Sequence, residues 1–194
     1  MSSWLGYRRL KIDPLITPDL PIKPEESDCY RAPIEDHRWR EIIEQISSRL
    51  TKIDLKLPKR IANLIASCIE WLDIPMERYS EITCTKCINP CCKAQEIYYN
   101  LADILYLVAY GKAIPLGQTR TRKCDPCRYL GDTGCTLDRR FRPYICTWFM
   151  CEAQMELWRT EPPPFQREFL RVLQTIRILR LQLESLYEAK TGSN

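Results

Sequence analysis

The sequence predicts a mainly α protein, a single helical domain with an irregular cysteine-rich metal-binding centre and little β structure. Three observations carry that expectation. Apolar residues recur at helical spacing in four separate stretches, and the period-two alternation of a half-buried strand is nearly absent. Nine of the eleven cysteines fall into two short blocks rich in turn-forming residues. With 194 residues, 45% of them hydrophobic and 28% charged, the chain has the size and composition of one globular domain.

Residues 1–34 hold five of the 14 prolines (Pro14, Pro18, Pro21, Pro24 and Pro33). Their locked φ and missing N–H predict an extended arm, with one domain over 35–194. Trp39, Ile42, Ile43, Ile46 and Leu50 predict a helix over 35–50, with acidic residues in the first turn as the helix dipole favours. Pro58 suits the first position of a second helix, whose apolar stripe is Ile61, Leu64, Ile65, Cys68 and Leu72. The two form a packed pair over 35–80, followed by a cysteine region over 81–151. Inside that region Asn100 as N-cap, Asp103 three residues on and Gly111 past the end bracket a helix over Leu101–Tyr110. Residues 112–143 read as loop. A short helix through Cys151–Arg159 is ended by Pro162, Pro163 and Pro164, and Phe165, Phe169, Val172, Leu173, Ile176, Leu179, Leu183 and Leu186 predict a long amphipathic helix over 164–190.

Several chemistries are excluded. One histidine, His37, cannot supply a Cys2His2 zinc site, a three-histidine catalytic zinc or a two-histidine iron site, and it leaves no evident Cys–His dyad. No G-x-G-x-x-G or P-loop occurs among the six glycines. The longest apolar run, Ile104 to Tyr110, is far short of the roughly 20 residues that span a bilayer. Arg8, Arg9, Lys11, Asp13 and Pro14 interrupt any apolar leader segment, so a cytoplasmic location is expected, where eleven cysteines are not disulfides.

The first block is Cys84-x2-Cys87-x3-Cys91-Cys92, and the second is Cys124-x2-Cys127-x7-Cys135-x10-Cys146-x4-Cys151. A C-x2-C turn aims two sulfurs at one ion, and thiolates on short loops hold either zinc or iron–sulfur clusters. Neighbours such as Thr85-Lys86, Asn89-Pro90, Asp125-Pro126 and Gly131-Asp132 cannot pack as an apolar core, so these nine thiols are the candidate metal ligands. Cys68, on a helical apolar stripe, reads as a core residue and Cys29 as an incidental thiol. No βαβ pattern flanks either C-x2-C, which argues against a thioredoxin-like pair.

Cys84-x2-Cys87-x3-Cys91-Cys92, the Asp103 helix, Cys127-Arg128-Tyr129-Leu130, Gly134-Cys135, Arg142-Pro143-x2-Cys146 and Phe149 together resemble the YkgJ-type CxxCxxCC family of zinc- or iron-chelating proteins. The resemblance covers residues 84–151 and implies metal binding. One departure is the three-residue gap Ile88-Asn89-Pro90, where the family has two, which leaves the third ligand role open between Cys91 and Cys92. More distantly, the block is similar to the cysteine cluster of flagellin lysine N-methylases, which implies iron over zinc. This chain has no glycine-rich βαβ turn to hold S-adenosylmethionine, so that activity is not carried over.

An all-cysteine, histidine-free set suits soft iron–sulfur chemistry, and adjacent Cys91 and Cys92 are expected to serve different roles rather than share one tetrahedral ion. The expected cofactor is therefore an iron–sulfur cluster of the 4Fe-4S kind, in electron transfer, redox sensing or as an accessory to an enzyme. The alternatives are a zinc-stapled interaction module and a metal-dependent protein-modifying enzyme. Residues 112–142 carry eight basic side chains against three acidic ones. Arg128 and Arg142 are expected to hydrogen-bond the ligand sulfurs from outside, and the basic stretch or the C-terminal helix could dock a protein partner. Tyr144, Trp148, Phe149 and Trp158 are read as packing around Cys146. The sequence pI of about 8.5 argues against nucleic acid, and no membrane association is expected.

Overall fold

The computed structural model describes residues 30–52, 54–112, 114–132 and 134–191. Most of the proline-rich arm, Cys29 included, lies outside them. The described residues are mainly helical, in the order α1 (Asp36–Leu50), α2 (Lys56–Thr83), α3 (Cys91–Ala94), α4 (Leu101–Tyr110), the strands β1 (Leu130–Gly131) and β2 (Gly134–Cys135), then α5 (Ile145–Trp148), α6 (Glu152–Arg159) and α7 (Pro163–Thr191). The strands pair antiparallel, Leu130 opposite Cys135 and Gly131 opposite Gly134.

The periodicities that predict the long helices also face them inward. Trp39, Ile42, Ile46 and Leu50 of α1 are buried, as are Ile61, Ile65, Cys68, Ile69 and Leu72 of α2 and Phe169, Val172, Ile176, Leu179 and Leu183 of α7. Helix α2 lies against both α4 and α7, α4 also packs on α7, and α1 closes over α4. Each fully buried large side chain, Trp39, Leu72 or Phe169 for example, contributes about 1.5–3 kcal/mol from removal of apolar surface from water. Trp39 adds geometry to that burial: its indole N–H donates to the Pro115 carbonyl at 2.9 Å, and its ring lies 5.3 Å from that of Tyr99.

Two boundaries differ from the periodicity. Helix α2 runs through Pro75 to Thr83, although an interior proline removes a hydrogen bond and costs about 3 kcal/mol. The cost is offset by burying Pro75, Met76 and Tyr79, whose hydroxyl donates to the buried Glu161 carboxylate at 2.9 Å. Pro163 and Pro164, expected to stop α6, form the first turn of α7, where a backbone N–H has no helical acceptor to lose.

Helix α4 follows its local signals closely. Asn100 Oδ1 accepts from the Asp103 N–H and Asp103 accepts from the Asn100 N–H, both at 3.0 Å, a reciprocal capping box. Gly111 ends the helix at φ 67°, the left-handed region glycine enters without penalty. Asp103 does more than cap, since its Oδ1 also accepts from Arg180 of α7 at 2.5 Å and from the Tyr144 N–H at 3.0 Å. A buried ion pair thus joins α4, α7 and the turn leading to Cys146. No helix among the described residues is long and apolar enough to cross a membrane.

Candidate metal centre

The first block begins where α2 ends. A 3-10 turn over Cys84–Lys86 continues the helix, and the Cys87 N–H returns to the Cys84 carbonyl at 3.1 Å, closing the C-x2-C turn. Cys84 and Cys87 are exposed, and Gln154 of α6 donates weakly to the Cys84 sulfur at 3.7 Å. Pro90 then starts the one-turn helix α3, which carries the half-buried Cys91 and Cys92.

The second block is tied to the first through the backbone. The Cys127 N–H donates to the Cys92 carbonyl at 2.9 Å. From Cys127 the chain enters the β1–β2 hairpin, whose register returns Cys135 to the start of the same hairpin. Cys146 is set by two anchors: its N–H bonds the Pro143 carbonyl at 2.8 Å, and Arg139 donates to its carbonyl at 3.3 Å while gripping Asp73 and Glu77 of α2. Cys124 and Cys151 are exposed, the latter as the residue preceding α6.

The thiols therefore form two tiers. The Cys146 thiol is pushed up by burial and then by the neighbouring thiols of Cys135 and Cys127. Cys127 is raised by burial and again by Cys135, with Arg120 and Arg128 pulling the other way. Cys91 and Cys92 hydrogen-bond to each other, so that Cys91 ionises below the ordinary thiol range, to about 6, while Cys92 is driven far up by that bond, by burial and by Cys91, Cys127 and Cys146. Cys92 thus feels Cys127 and Cys146, and Cys127 and Cys146 both feel Cys135, with Cys91 adjacent to Cys92. Cys84, Cys87, Cys124 and Cys151 form the exposed tier. Among the described residues, no three Cys, His, Asp or Glu side chains already stand in an arrangement that could hold a metal ion.

The arginines distribute differently from the sequence expectation. Arg128 donates to both Asp36 oxygens, at 2.7 and 3.2 Å, and crosses the face of Gly117, where a Cβ would fall 2.0 Å from its Nη1. Arg142 donates to the Leu137 carbonyl at 2.8 Å and to Glu77 at 3.3 Å. Both charges reach a thiol, Cys127 and Cys146 respectively, yet both sets of hydrogen bonds go to other partners. Arg140 pairs with Asp138 and Glu70, and Lys123 lies 3.5 Å from Glu96, so much of the 112–142 basic stretch is neutralised within the molecule.

The arginine at the junction of the two blocks is Arg120, which is 2% exposed. It donates to the carbonyls of Cys92, Gln95 and Asp125, its Nε has no partner, and no carboxylate among the described residues pairs with it. Beside it, the fully buried Gln118 is satisfied on all sides: its Oε1 accepts from the N–H groups of Tyr99 and Thr119, and its amide donates to the carbonyls of Tyr30 and Tyr99. Thr119 completes the seam by donating to the Ile97 carbonyl. Sequence reading passes over Gln118 and counts Arg120 only among the eight basic residues of 112–142, because neither belongs to a periodic stripe or a cysteine motif.

The four aromatic residues expected around Cys146 do not form one wall. Tyr144 lies under the Arg180 guanidinium and donates to the Leu173 carbonyl, Trp158 packs on Phe169, and Trp148 is exposed, edge-on to Phe149. Cys68 is buried in the core, 1% exposed, as its place on the α2 stripe predicts. His37 lies on the surface, 3.3 Å from Glu35.

By chemistry alone, a set of thiols with no histidine beside it is of the kind soft metals take, and among the described residues the buried Arg120 guanidinium has no carboxylate partner. No family model, curated protein or solved structure matches the chain.

Proposed function

We propose that the chain is a metal-binding protein whose clustered cysteines hold an iron–sulfur cluster, serving electron transfer, redox sensing or an enzyme to which it is an accessory. The observation that carries this reading is the backbone bond from the Cys127 N–H to the Cys92 carbonyl, which joins the two cysteine blocks, with half-buried Cys92 on α3, Cys127 before the hairpin, Cys135 in β2 and Cys146 in α5. Four thiolates are what a cubane cluster takes, and the absence of a nearby histidine suits iron–sulfur ligation. The likeness of residues 84–151 to the CxxCxxCC family supports the same reading. Thiols held neutral by burial must lose protons to bind, so loading releases protons and weakens in acid.

A zinc site is the second reading, favoured by the hairpin that turns Cys135 back toward Cys127, since paired spacings of this kind aim two sulfurs at one ion. The test is purification without oxygen, followed by an absorption spectrum and analysis for iron, zinc and acid-labile sulfide. Iron with sulfide and a broad band near roughly 400 nm supports the cluster; zinc without colour transfers the reading to a structural site; neither metal in stoichiometric amount defeats both. In the loaded protein, Cys127→Ser and Cys146→Ser each lower metal content, whereas unchanged stoichiometry in both removes them from the ligand set.

A further inference from the structure

Among the described residues, Arg120 is a buried cation with no anion. Removing a charge from water is costly, and proteins accept it where a partner of opposite sign is close. The other strongly buried arginines obey that rule: Arg139 meets Asp73 and Glu77, and Arg180 meets Asp103. Arg120 meets three carbonyl oxygens, two of them on Cys92 and Gln95 at the foot of the first cysteine block and the third on Asp125 inside the second. One N–H of the guanidinium, on Nε, still points at no acceptor. A second buried donor without a partner, the Tyr98 hydroxyl, lies within electrostatic reach of Arg120 and Cys124.

The missing anion has one evident source. Four thiolates around a divalent ion such as Zn²⁺ leave a net charge of minus two, and the thiols of Cys92 and Cys127 belong to the segments Arg120 and its backbone neighbours hold together. We infer that Arg120 is the fixed counter-charge of the thiolate centre, a positioning residue that offsets the negative charge of the loaded site and leaves the empty protein with an uncompensated buried cation. The inference rests on the metal-binding reading of the same cysteines. It gives the apo protein a reason to load, because occupancy removes an electrostatic penalty as well as forming metal–sulfur bonds.

The test compares Arg120→Gln, which removes the charge but keeps an amide donor for the carbonyls, with Arg120→Lys, which keeps the charge and gives up the fork of hydrogen bonds. Affinity is read by competing Zn²⁺ against a chromophoric chelator and by anaerobic loading with ferrous iron and sulfide. The stability of the metal-free full-length chain is read by its urea midpoint. The expected result is a loss of about 10- to 100-fold in metal affinity for Arg120→Gln, with a metal-free midpoint equal to or above wild type, and recovery of most of the affinity in Arg120→Lys. Equal affinity in wild type and Arg120→Gln overturns the inference while leaving the metal site standing. So does a parallel loss of metal-free stability and affinity in both variants, which marks Arg120 as a clamp for three carbonyls. A wild-type chain that takes up neither metal defeats the metal-binding reading, and the inference with it.

Discussion

The N–H of Cys127 donates to the carbonyl of Cys92 at 2.9 Å, across 35 residues of chain. That single backbone bond makes the two cysteine blocks one unit, because it places α3 against the entrance of the hairpin before any metal is considered. Arg120 reinforces it by donating to the same Cys92 carbonyl at 3.0 Å.

The two tiers of thiols should separate by reactivity. In reduced, metal-free protein at about pH 8, a brief iodoacetamide pulse should label Cys84, Cys87, Cys124 and Cys151 early because they are exposed, and with them the half-buried Cys91, whose thiol ionises at about 6, since the thiolate is the nucleophile. Cys68, whose thiol burial pushes up to about 12, should react only when the chain unfolds in urea. Peptide mass spectrometry reads both sets, and early labelling of Cys68 would contradict the core described above.

The Asp103–Arg180 pair should be costly to break from one side. Asp103→Ala leaves a buried guanidinium alone and is expected to destabilise by about 3–5 kcal/mol, as is Arg180→Met for the converse reason. Removing both partners should cost clearly less than the sum, because no lone charge remains. Urea denaturation of the four proteins closes the cycle, and simple additivity would show that the pair is not coupled.

Gly111 tests the end of α4. No atom lies within 4 Å of where its Cβ would sit, so Gly111→Ala is penalised by backbone conformation alone, at φ 67°. The expected loss is about 1–2 kcal/mol, measured as a lower urea midpoint with an unchanged m-value.

Acid should release a smaller contribution at Asp138. The Arg140 guanidinium beside it holds its carboxyl down to about 2, against an ordinary 3.8. A folded-state value below the unfolded one means the contribution is complete above about pH 4 and is lost as pH falls through about 2. The pair is partly exposed, so its worth after solvent screening is about 0.5–1 kcal/mol. Asp138→Asn should therefore be less stable than wild type at pH 5 and indistinguishable from it at pH 2, and a difference that persists at pH 2 would assign the effect to another group.

Much of this architecture was legible because its causes are local. Asn100, Asp103 and Gly111 delimit α4 by hydrogen bonds and backbone geometry confined to one helix, and the stripes of α1, α2 and α7 name their own buried faces. The bounds 35–80 already carry α2 past Pro75, but what holds it there was not legible, since the burial of Tyr79 and its bond to Glu161 come from a junction 82 residues away. The arginines show the same limit. Arg128 and Arg142 stand next to cysteine motifs in the chain, but Asp36 and Glu77, on helices remote in sequence, take their hydrogen bonds. Gln118 and Arg120 act through backbone carbonyls, which carry no residue identity and leave no mark in a sequence.

The helical core has a further consequence. Among the described residues, Cys68 is the only cysteine in that core, and the nine clustered thiols lie outside it. Helices α1, α2, α4 and α7 thus close on apolar contacts that include none of the nine clustered cysteines, with Tyr129, Phe141 and Tyr144 packing onto the same core. If the clustered cysteines take up metal as proposed, a chain made during metal scarcity would not have to be degraded and remade; it would persist as a folded reserve and be filled when supply returns.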